Sequence, residues 1–142
     1  TGHNGPVLRI SQELLDAMTE HARRDHPDEA CGVIAGRSDT PTRFIPMVNA
    51  ARSTTFYEFD SGALLRLYRE LDARDEEPVV IYHSHTATEA YPSRTDVAYA
   101  QEPGAHYVLL STRDPESTEI RSFRIIDGEV TEEMVEIVES VP

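Results

Sequence analysis

The segment that most constrains the fold runs from Val79 to Asp96. It opens with Val79-Val80-Ile81-Tyr82, a short, apolar and mostly β-branched run that is typical of a buried strand. This run leads directly into His83 and His85. Because side chains alternate across a strand, the two imidazoles are expected to point to the same side of its end.

A helix is predicted to begin beyond the next loop, which covers residues 86–92. Ser93-Arg94-Thr95-Asp96 opens this helix, and Pro103-Gly104 follows its end. Asp96 then lies in the first turn and faces back toward the histidines. Ser-x-x-Asp is also the spacing of an ordinary capping box with Ser93 as N-cap, and Ser93 can both cap the helix and face the site.

Two imidazoles and a carboxylate at this spacing form a ligand set typical of zinc. Three protein ligands leave a fourth coordination position open, which is characteristic of a catalytic site. The pair His83 and His85 is a weak signal alone, and so is the cap, but together they predict one zinc ion per chain. The reaction class that such a site favours is hydrolysis of an amide.

This segment and an upstream glutamate resemble the signature of the JAMM (MPN+) metalloproteases, which is His-x-His, seven residues, then Ser-x-x-Asp. The family's glutamate stands in a context like Pro-x-Glu-x-Cys-Gly, and this chain has Pro27-Asp28-Glu29-Ala30-Cys31-Gly32. The resemblance implies three roles: zinc ligation by His83, His85 and Asp96, general acid/base catalysis by Glu29, and stabilisation of the tetrahedral intermediate by Ser93.

Glu29 owes its predicted role to this motif context, because a glutamate between a helix end and a strand is normally solvated. Cys31 follows it closely and is a conceivable nucleophile. Since no activating histidine partner is indicated, we interpret Cys31 as a small buried hydrophobe.

The length of 142 residues suits one domain, predicted to span residues 7–142. Residues 1–6 lack a starting Met and are interpreted as an N-terminal tail or a cloning remnant. No apolar run approaches the ~20 residues of a membrane helix, and no signal peptide is visible. The single cysteine excludes an internal disulfide and predicts a reducing, cytoplasmic location.

The net charge of −13, from 26 acidic and 13 basic residues, argues against nucleic acid and anionic membranes as partners. It is compatible with a basic or mixed protein partner, and a homodimer remains an open alternative. Four further histidines lack ligand-like spacing and are interpreted as structural or surface residues: His3, His21, His26 and His106.

The remaining pattern mixes strands and helices without strict alternation. Strands are predicted at 7–10, 31–36, 42–49, 106–111 and 120–126, and helices at 12–24 and from Asp60 to about Asp75. Residues 130–138 fit a strand or a terminal helix, and the aromatic residues of 56–59 fit a core or a channel beside the site. The expected fold class is α/β (α+β mixed), with a curved mixed sheet flanked by helices. The family resemblance implies the same JAMM/MPN, cytidine-deaminase-like architecture.

The short chain resembles the compact bacterial, Mec-type branch of the family. That resemblance implies release of cysteine from the C-terminal Gly-Gly tail of a ubiquitin-like sulfur carrier protein, in cysteine biosynthesis. The alternatives are a JAMM peptidase that processes another ubiquitin-like protein and a non-catalytic MPN scaffold. A cupin-type oxygenase is disfavoured by the helices, and a zinc deaminase is excluded by the lack of a Pro-Cys-x-x-Cys motif.

Overall fold

A computed structural model describes residues 6–140 and shows one seven-stranded sheet. The predicted tail therefore lies outside the described residues apart from Pro6, as does His3. The sheet has the order β1-β7-β6-β5-β4-β2-β3. Its strands are β1 (Val7–Ser11), β2 (Cys31–Arg37), β3 (Thr40–Met47), β4 (Glu77–His85), β5 (His106–Asp114), β6 (Ser117–Ile126) and β7 (Glu129–Val138).

Three helices cover the two faces of this sheet: α1 (Gln12–Asp25), α2 (Ser61–Ala73) and α3 (Arg94–Tyr99). Polar side chains define their starts: Ser11 accepts a hydrogen bond from Leu14 N, and Asp60 accepts one from Ala63 N. Helix α1 packs on one face, and α2 and α3 pack on the other.

Alternation along β4 distributes its side chains between these two faces. Val80 and Tyr82 join the cluster that packs under α1, whereas Ile81 belongs to the cluster beside α3. Residues with the same parity as Ile81 share its face, so His83 and His85 emerge on the side of α2 and α3. The alternation along β4 thus places both predicted histidine ligands on the face that carries α2 and α3.

Strand β2 pairs antiparallel with β4, and Cys31 lies opposite His83. The β2–β3 hairpin carries a register shift at Ala35 and Gly36. A side chain at Gly36 would overlap the Thr40 carbonyl, which explains a glycine at this close approach. Because β2 is anchored on β4, the residue just before β2 is held beside the end of β4.

The structure confirms the predicted α/β class with a mixed sheet flanked by helices. It shows residues 130–138 as a strand, since β7 pairs with both β6 and β1. The strand that contains Pro46 lies at the sheet edge, as a proline there requires. Between residues 6 and 140, no helix has the length and apolarity needed to cross a membrane.

Candidate metal centre and catalytic cleft

The three predicted ligands converge on one point at the end of β4. Oδ2 of Asp96 lies 3.1 Å from Nε2 of His83 and 3.0 Å from Nε2 of His85. One ligand atom from each of the three residues lies within 4.8 Å of the others. The fold thus brings together two side chains from the end of a strand and one from the start of a helix, as their spacing in the sequence predicted.

Asp96 has both of the roles that its sequence context allows. The Asp96 N–H donates to Ser93 Oγ over 3.1 Å, and the Ser93 N–H donates to Asp96 Oδ2 over 2.8 Å, so the capping box is complete. The same carboxylate faces both histidines. Burial alone would raise the pKa of Asp96, but the adjacent imidazoles of His83 and His85 outweigh it and hold that pKa far below its usual range.

Contacts around His85 select the nitrogen that faces the centre. Nδ1 of His85 lies 2.9 Å from the Glu89 carbonyl, a pure acceptor, so Nδ1 carries the hydrogen. Nε2 faces Asp96 Oδ2 over 3.0 Å and can bind a cation when it carries no proton. Backbone partners of this kind commonly fix the tautomer of a metal-ligating histidine.

His83 supplies the test of whether a metal ion fits. Its side chain is 2% exposed, yet neither ring nitrogen makes a hydrogen bond of good geometry within residues 6–140. Tyr57 stacks on the ring with a centroid distance of 4.3 Å and an interplanar angle of 24°. Burial lowers the pKa of His83 and keeps the imidazole neutral. A neutral, buried imidazole with an orphaned Nε2 beside a carboxylate fits a cation such as zinc.

Glu29 is held next to these ligands by the pairing of β2 with β4. The Ala30 N–H donates to Ser84 Oγ over 2.8 Å, and the Ser84 N–H donates to the Ala30 carbonyl over 3.0 Å. Continuing the antiparallel register from Cys31 and His83 places Glu29 opposite His85. The Glu29 N–H also donates to the Ser53 carbonyl over 2.8 Å, and Asn49 Nδ2 donates to the Glu29 carbonyl over 3.0 Å.

Glu29 is 5% exposed, and burial raises the pKa of its carboxyl group to about 7. The nearby His85 lowers this pKa and Asp96 raises it by smaller amounts. A carboxyl group poised near neutral pH can both accept and return a proton.

Ser93 is exposed at the start of α3. Its Oγ accepts the hydrogen bond from Asp96, and its own O–H is therefore available to another acceptor. Cys31, by contrast, is fully buried, and burial raises the pKa of its thiol to about 12. The interpretation of Cys31 as a buried hydrophobe is confirmed.

Two of the cavities formed by residues 6–140 border this centre, one at Asp96 and the other at Glu29. The first, which we call the aromatic groove, has a volume of about 510 Å³ and includes Asp96 in its wall. Its apolar lining comes mainly from Phe56, Tyr57, Phe59, Tyr68, Tyr99 and Tyr107. Both alternatives left open for the aromatic residues of 56–59 apply: Phe56, Tyr57 and Phe59 line this groove, and Tyr57 and Phe59 also pack against the core.

The second, which we call the Glu29 cavity, has a volume of about 460 Å³. Its polar lining comes from His21, Asp25, Asp28, Glu29, Asn49 and Arg52. Sequence reasoning missed this cavity, because its walls come from α1, β3 and the loop after β3. It also missed Ser84, whose position between two histidines was the only local signal of a role.

The other histidines of the described chain make structural contacts away from the centre. Nδ1 of His21 lies 2.9 Å from Tyr82 Oη, and Nδ1 of His26 lies 2.7 Å from Thr112 Oγ1. Nδ1 of His106 lies 2.7 Å from Glu133 Oε2. Their interpretation as structural or surface residues agrees with these contacts.

Comparison with known proteins places this geometry in a family. Residues 11–126 match the family described as prokaryotic homologs of the JAB domain. The chain is 66% identical over 135 residues to the CysO-cysteine peptidase of Mycobacterium tuberculosis, covering 94% of this chain and 92% of that protein. It is 34% identical over 111 residues to the desampylase of Haloferax volcanii, covering 73% and 80% of the two chains.

Solved structures agree with the fold. Protein DSY2949 from Desulfitobacterium hafniense matches with a TM-score of 0.83 and 28% identity, over 96% of this chain and 95% of that chain. AF2198 from Archaeoglobus fulgidus, a JAB1/MPN domain protein, matches with a TM-score of 0.57 and 23% identity, over 90% and 98% of the chains. With these matches and the converged motif residues, the chain belongs to the prokaryotic JAB-domain family, as a compact bacterial JAMM/MPN+ peptidase of the Mec type.

Proposed function

We propose that this chain is a zinc-dependent amide hydrolase that releases cysteine from the C-terminal Gly-Gly tail of a ubiquitin-like sulfur carrier protein. Its place would be in cysteine biosynthesis in the cytoplasm, with residues 7–142 as one catalytic domain. The observation that carries the proposal is the convergence of His83, His85 and Asp96 beside a buried Glu29. The names of the relatives support the substrate class.

His83, His85 and Asp96 are the residues that would hold the metal ion. When bound, zinc supplies Lewis acidity, which polarises a carbonyl group and acidifies water. Two neighbours hold these ligands in place: the Tyr57 ring covers the face of His83, and the backbone carbonyl of Glu89 orients His85.

Glu29 carries the proton in this proposal. Water adds its oxygen to the acyl carbon, the carbon–nitrogen bond breaks, and one proton of the water must reach the leaving amine. A carboxylate within hydrogen-bond reach can accept that proton and then deliver it. The pKa of Glu29, raised to about 7 by burial, suits both halves of the transfer near neutral pH.

Ser93 would stabilise the developing negative charge on the carbonyl oxygen. Its O–H is free because its oxygen, rather than its hydrogen, is used in the capping box. One donor of this kind is typically worth about 3 kcal/mol in the transition state.

The aromatic groove suits the acyl side of the substrate. It includes Asp96 in its wall and is lined by aromatic rings against which an extended backbone can pack. A tail that ends in two glycines presents backbone without side chains there. Conjugates of other ubiquitin-like proteins are the second candidate substrate, because the Haloferax desampylase shares 34% identity with this chain.

The proposal is tested by mass spectrometry of a ubiquitin-like sulfur carrier that ends in Gly-Gly-Cys. We expect the zinc-loaded protein to remove one cysteine and a strong chelator to block the reaction. Loss of mass in the presence of the chelator would exclude the metal mechanism. An intact carrier beside an active enzyme, shown by cleavage of another ubiquitin-like conjugate, would exclude this substrate.

A further inference from the structure

The aromatic groove includes Asp96 and the Glu29 cavity includes Glu29, so each cavity could take one part of the substrate. Proton delivery to the leaving nitrogen requires that nitrogen to lie near Glu29. The acyl part would then extend toward Asp96 and the aromatic groove, and the leaving amino acid would extend into the Glu29 cavity. This assignment rests on the proposed function.

Arg52 is the one permanent cation among the described residues that line the Glu29 cavity. Its guanidinium group makes no ion pair and no hydrogen bond with another side chain or carbonyl within residues 6–140. Asp25 and Asp28 line the same cavity, and Asp25 Oδ2 lies 3.3 Å from His21 Nε2. Because Asp25 and Asp28 repel a negatively charged group, such a group in this cavity is expected to bind at Arg52.

The position of Arg52 relative to Glu29 is set by the backbone. The Arg52 N–H donates to the Asn49 carbonyl over 3.1 Å, and the Ala51 N–H donates to Asn49 Oδ1 over 3.0 Å. Asn49 Nδ2 in turn donates to the Glu29 carbonyl, and the next residue, Ser53, accepts from the Glu29 N–H. Arg52 adopts a φ of 47°, a left-handed conformation that a non-glycine residue seldom takes. The loop thus holds an arginine at the cavity wall despite this cost.

We propose that Arg52 binds the α-carboxylate of the amino acid that is released, and so makes this enzyme selective for a single residue at a free C-terminus. A C-terminal amino acid carries this carboxylate, whereas a lysine joined through its side chain inside a protein does not. The guanidinium group matches a carboxylate with two parallel hydrogen bonds. Arg52 is therefore a specificity-determining residue. The substrate class of the enzyme is a carrier protein joined through its C-terminus to one amino acid that keeps a free α-carboxylate.

The test compares two adducts of the same carrier, one ending in Gly-Gly-Cys with a free carboxylate and one ending in Gly-Gly-cysteinamide. Wild-type protein is expected to favour the carboxylate form by about tenfold or more in kcat/KM, as for a hydrogen-bonded charge pair. Arg52→Ala should remove this preference, mostly through KM, and Arg52→Lys should restore part of it. Arg69→Ala is the matched control, because Arg69 is exposed on α2 and lines neither cavity.

Equal rates on both adducts for the wild type, or a preference that survives in Arg52→Ala, would overturn the proposal. A second measurement does not need turnover: L-serine and L-serinamide are titrated while the NMR signal of the Arg52 Nε–H is followed. A shift with L-serine alone supports the contact, and no shift with either ligand refutes it. The titration gives this answer even if no carrier adduct is cleaved, so failure of the proposed function is recognised separately.

Discussion

At the residue scale, one carboxylate oxygen joins the start of a helix to the histidine pair. Asp96 Oδ2 accepts from the Ser93 backbone and faces both imidazoles. A helix cap and a metal ligand are usually separate assignments for a residue. Here the cap fixes the rotamer that the ligand role requires, so the side chain loses little further entropy when it binds a cation.

Glu29→Gln is expected to keep metal binding and to lose hydrolysis by about 100-fold or more, because an amide cannot carry the proton. Zinc content by elemental analysis and kcat on the Gly-Gly-Cys adduct measure the two properties. Glu20→Gln is the control, since it makes the same chemical change at an exposed position of α1 that lines neither cavity. Wild-type turnover in Glu29→Gln would take Glu29 out of the mechanism.

His106 gives a pH-dependent contribution to stability away from the site. Its Nδ1 lies 2.7 Å from Glu133 Oε2, and its Nε2 lies 2.8 Å from Asp39 Oδ1. Burial alone would lower the pKa of His106, but the two carboxylates raise it overall. A raised pKa in the folded state means that the contribution is complete below about pH 6.5, the unfolded value, and is lost as pH rises through the folded pKa.

We therefore expect the free energy of unfolding to fall more between pH 6 and pH 9 in the wild type than in His106→Gln. Urea unfolding at both pH values measures the difference. The pH dependence of His106→Gln supplies the baseline from the titrating groups that both proteins share. Identical pH dependence in the two proteins would show that this cluster does not change its protonation on unfolding.

At the element scale, the loop between β4 and α3 is held by the next two strands. Ser111 Oγ on β5 donates to the Thr88 carbonyl over 2.5 Å, and the Ala90 N–H donates to Glu119 Oε1 on β6 over 2.9 Å. Glu89, whose carbonyl orients His85, lies between these two anchors. Through these contacts, β5 and β6 fix the loop, and the loop fixes the orientation of the metal ligand His85.

Glu119→Ala is expected to weaken zinc binding by about tenfold, because partners of this outer kind orient the ligands. Competition with a chromophoric chelator measures the affinity without any substrate. Glu116→Ala is the control, since Glu116 is exposed in the turn between the same two strands. Equal affinities in the two variants would mean that the loop holds its shape without Glu119.

Local spacing predicted the elements that touch the centre, and it could not predict those that reach it from far along the chain. His83, His85 and Asp96 follow from strand parity and a helix start. Glu119 and Arg52 act through the pairing of distant strands and through a loop docked on β2, and neither relation leaves a periodic pattern. The strand at 130–138 was ambiguous for the same reason, because its pairing with β1 decides it.

At the scale of the whole molecule, the sheet separates a supporting face from a working face. Helix α1 closes one side over a core that includes Leu8, Met18 and Tyr82. Helices α2 and α3 cover the other side only in part, and the metal centre and the aromatic groove lie between them. The metal centre thus lies at an opening that helices α2 and α3 leave uncovered.

Zinc should stabilise the whole fold, because its ligands come together only in the native state. A ligand present at 100 times its Kd adds about 2.7 kcal/mol to the unfolding free energy. We expect the Tm to rise by several degrees in scanning calorimetry when zinc replaces a chelator. Asp96→Asn, which keeps a capping side chain but loses the carboxylate, should show a smaller rise. A zinc-independent Tm would contradict a native-state site.

The three metal ligands lie within residues 83–96, whereas Glu29 comes from the other side of a strand pairing. Metal binding therefore depends on residues that are close in the sequence, whereas proton transfer depends on a residue that is distant in the sequence. A small shift of β2 along β4 within the folded protein would displace Glu29 and leave the three ligands together, so bound metal alone does not show that the enzyme is active. Batches of the enzyme should accordingly be ranked by active-site titration, with metal analysis as a separate measure of loading.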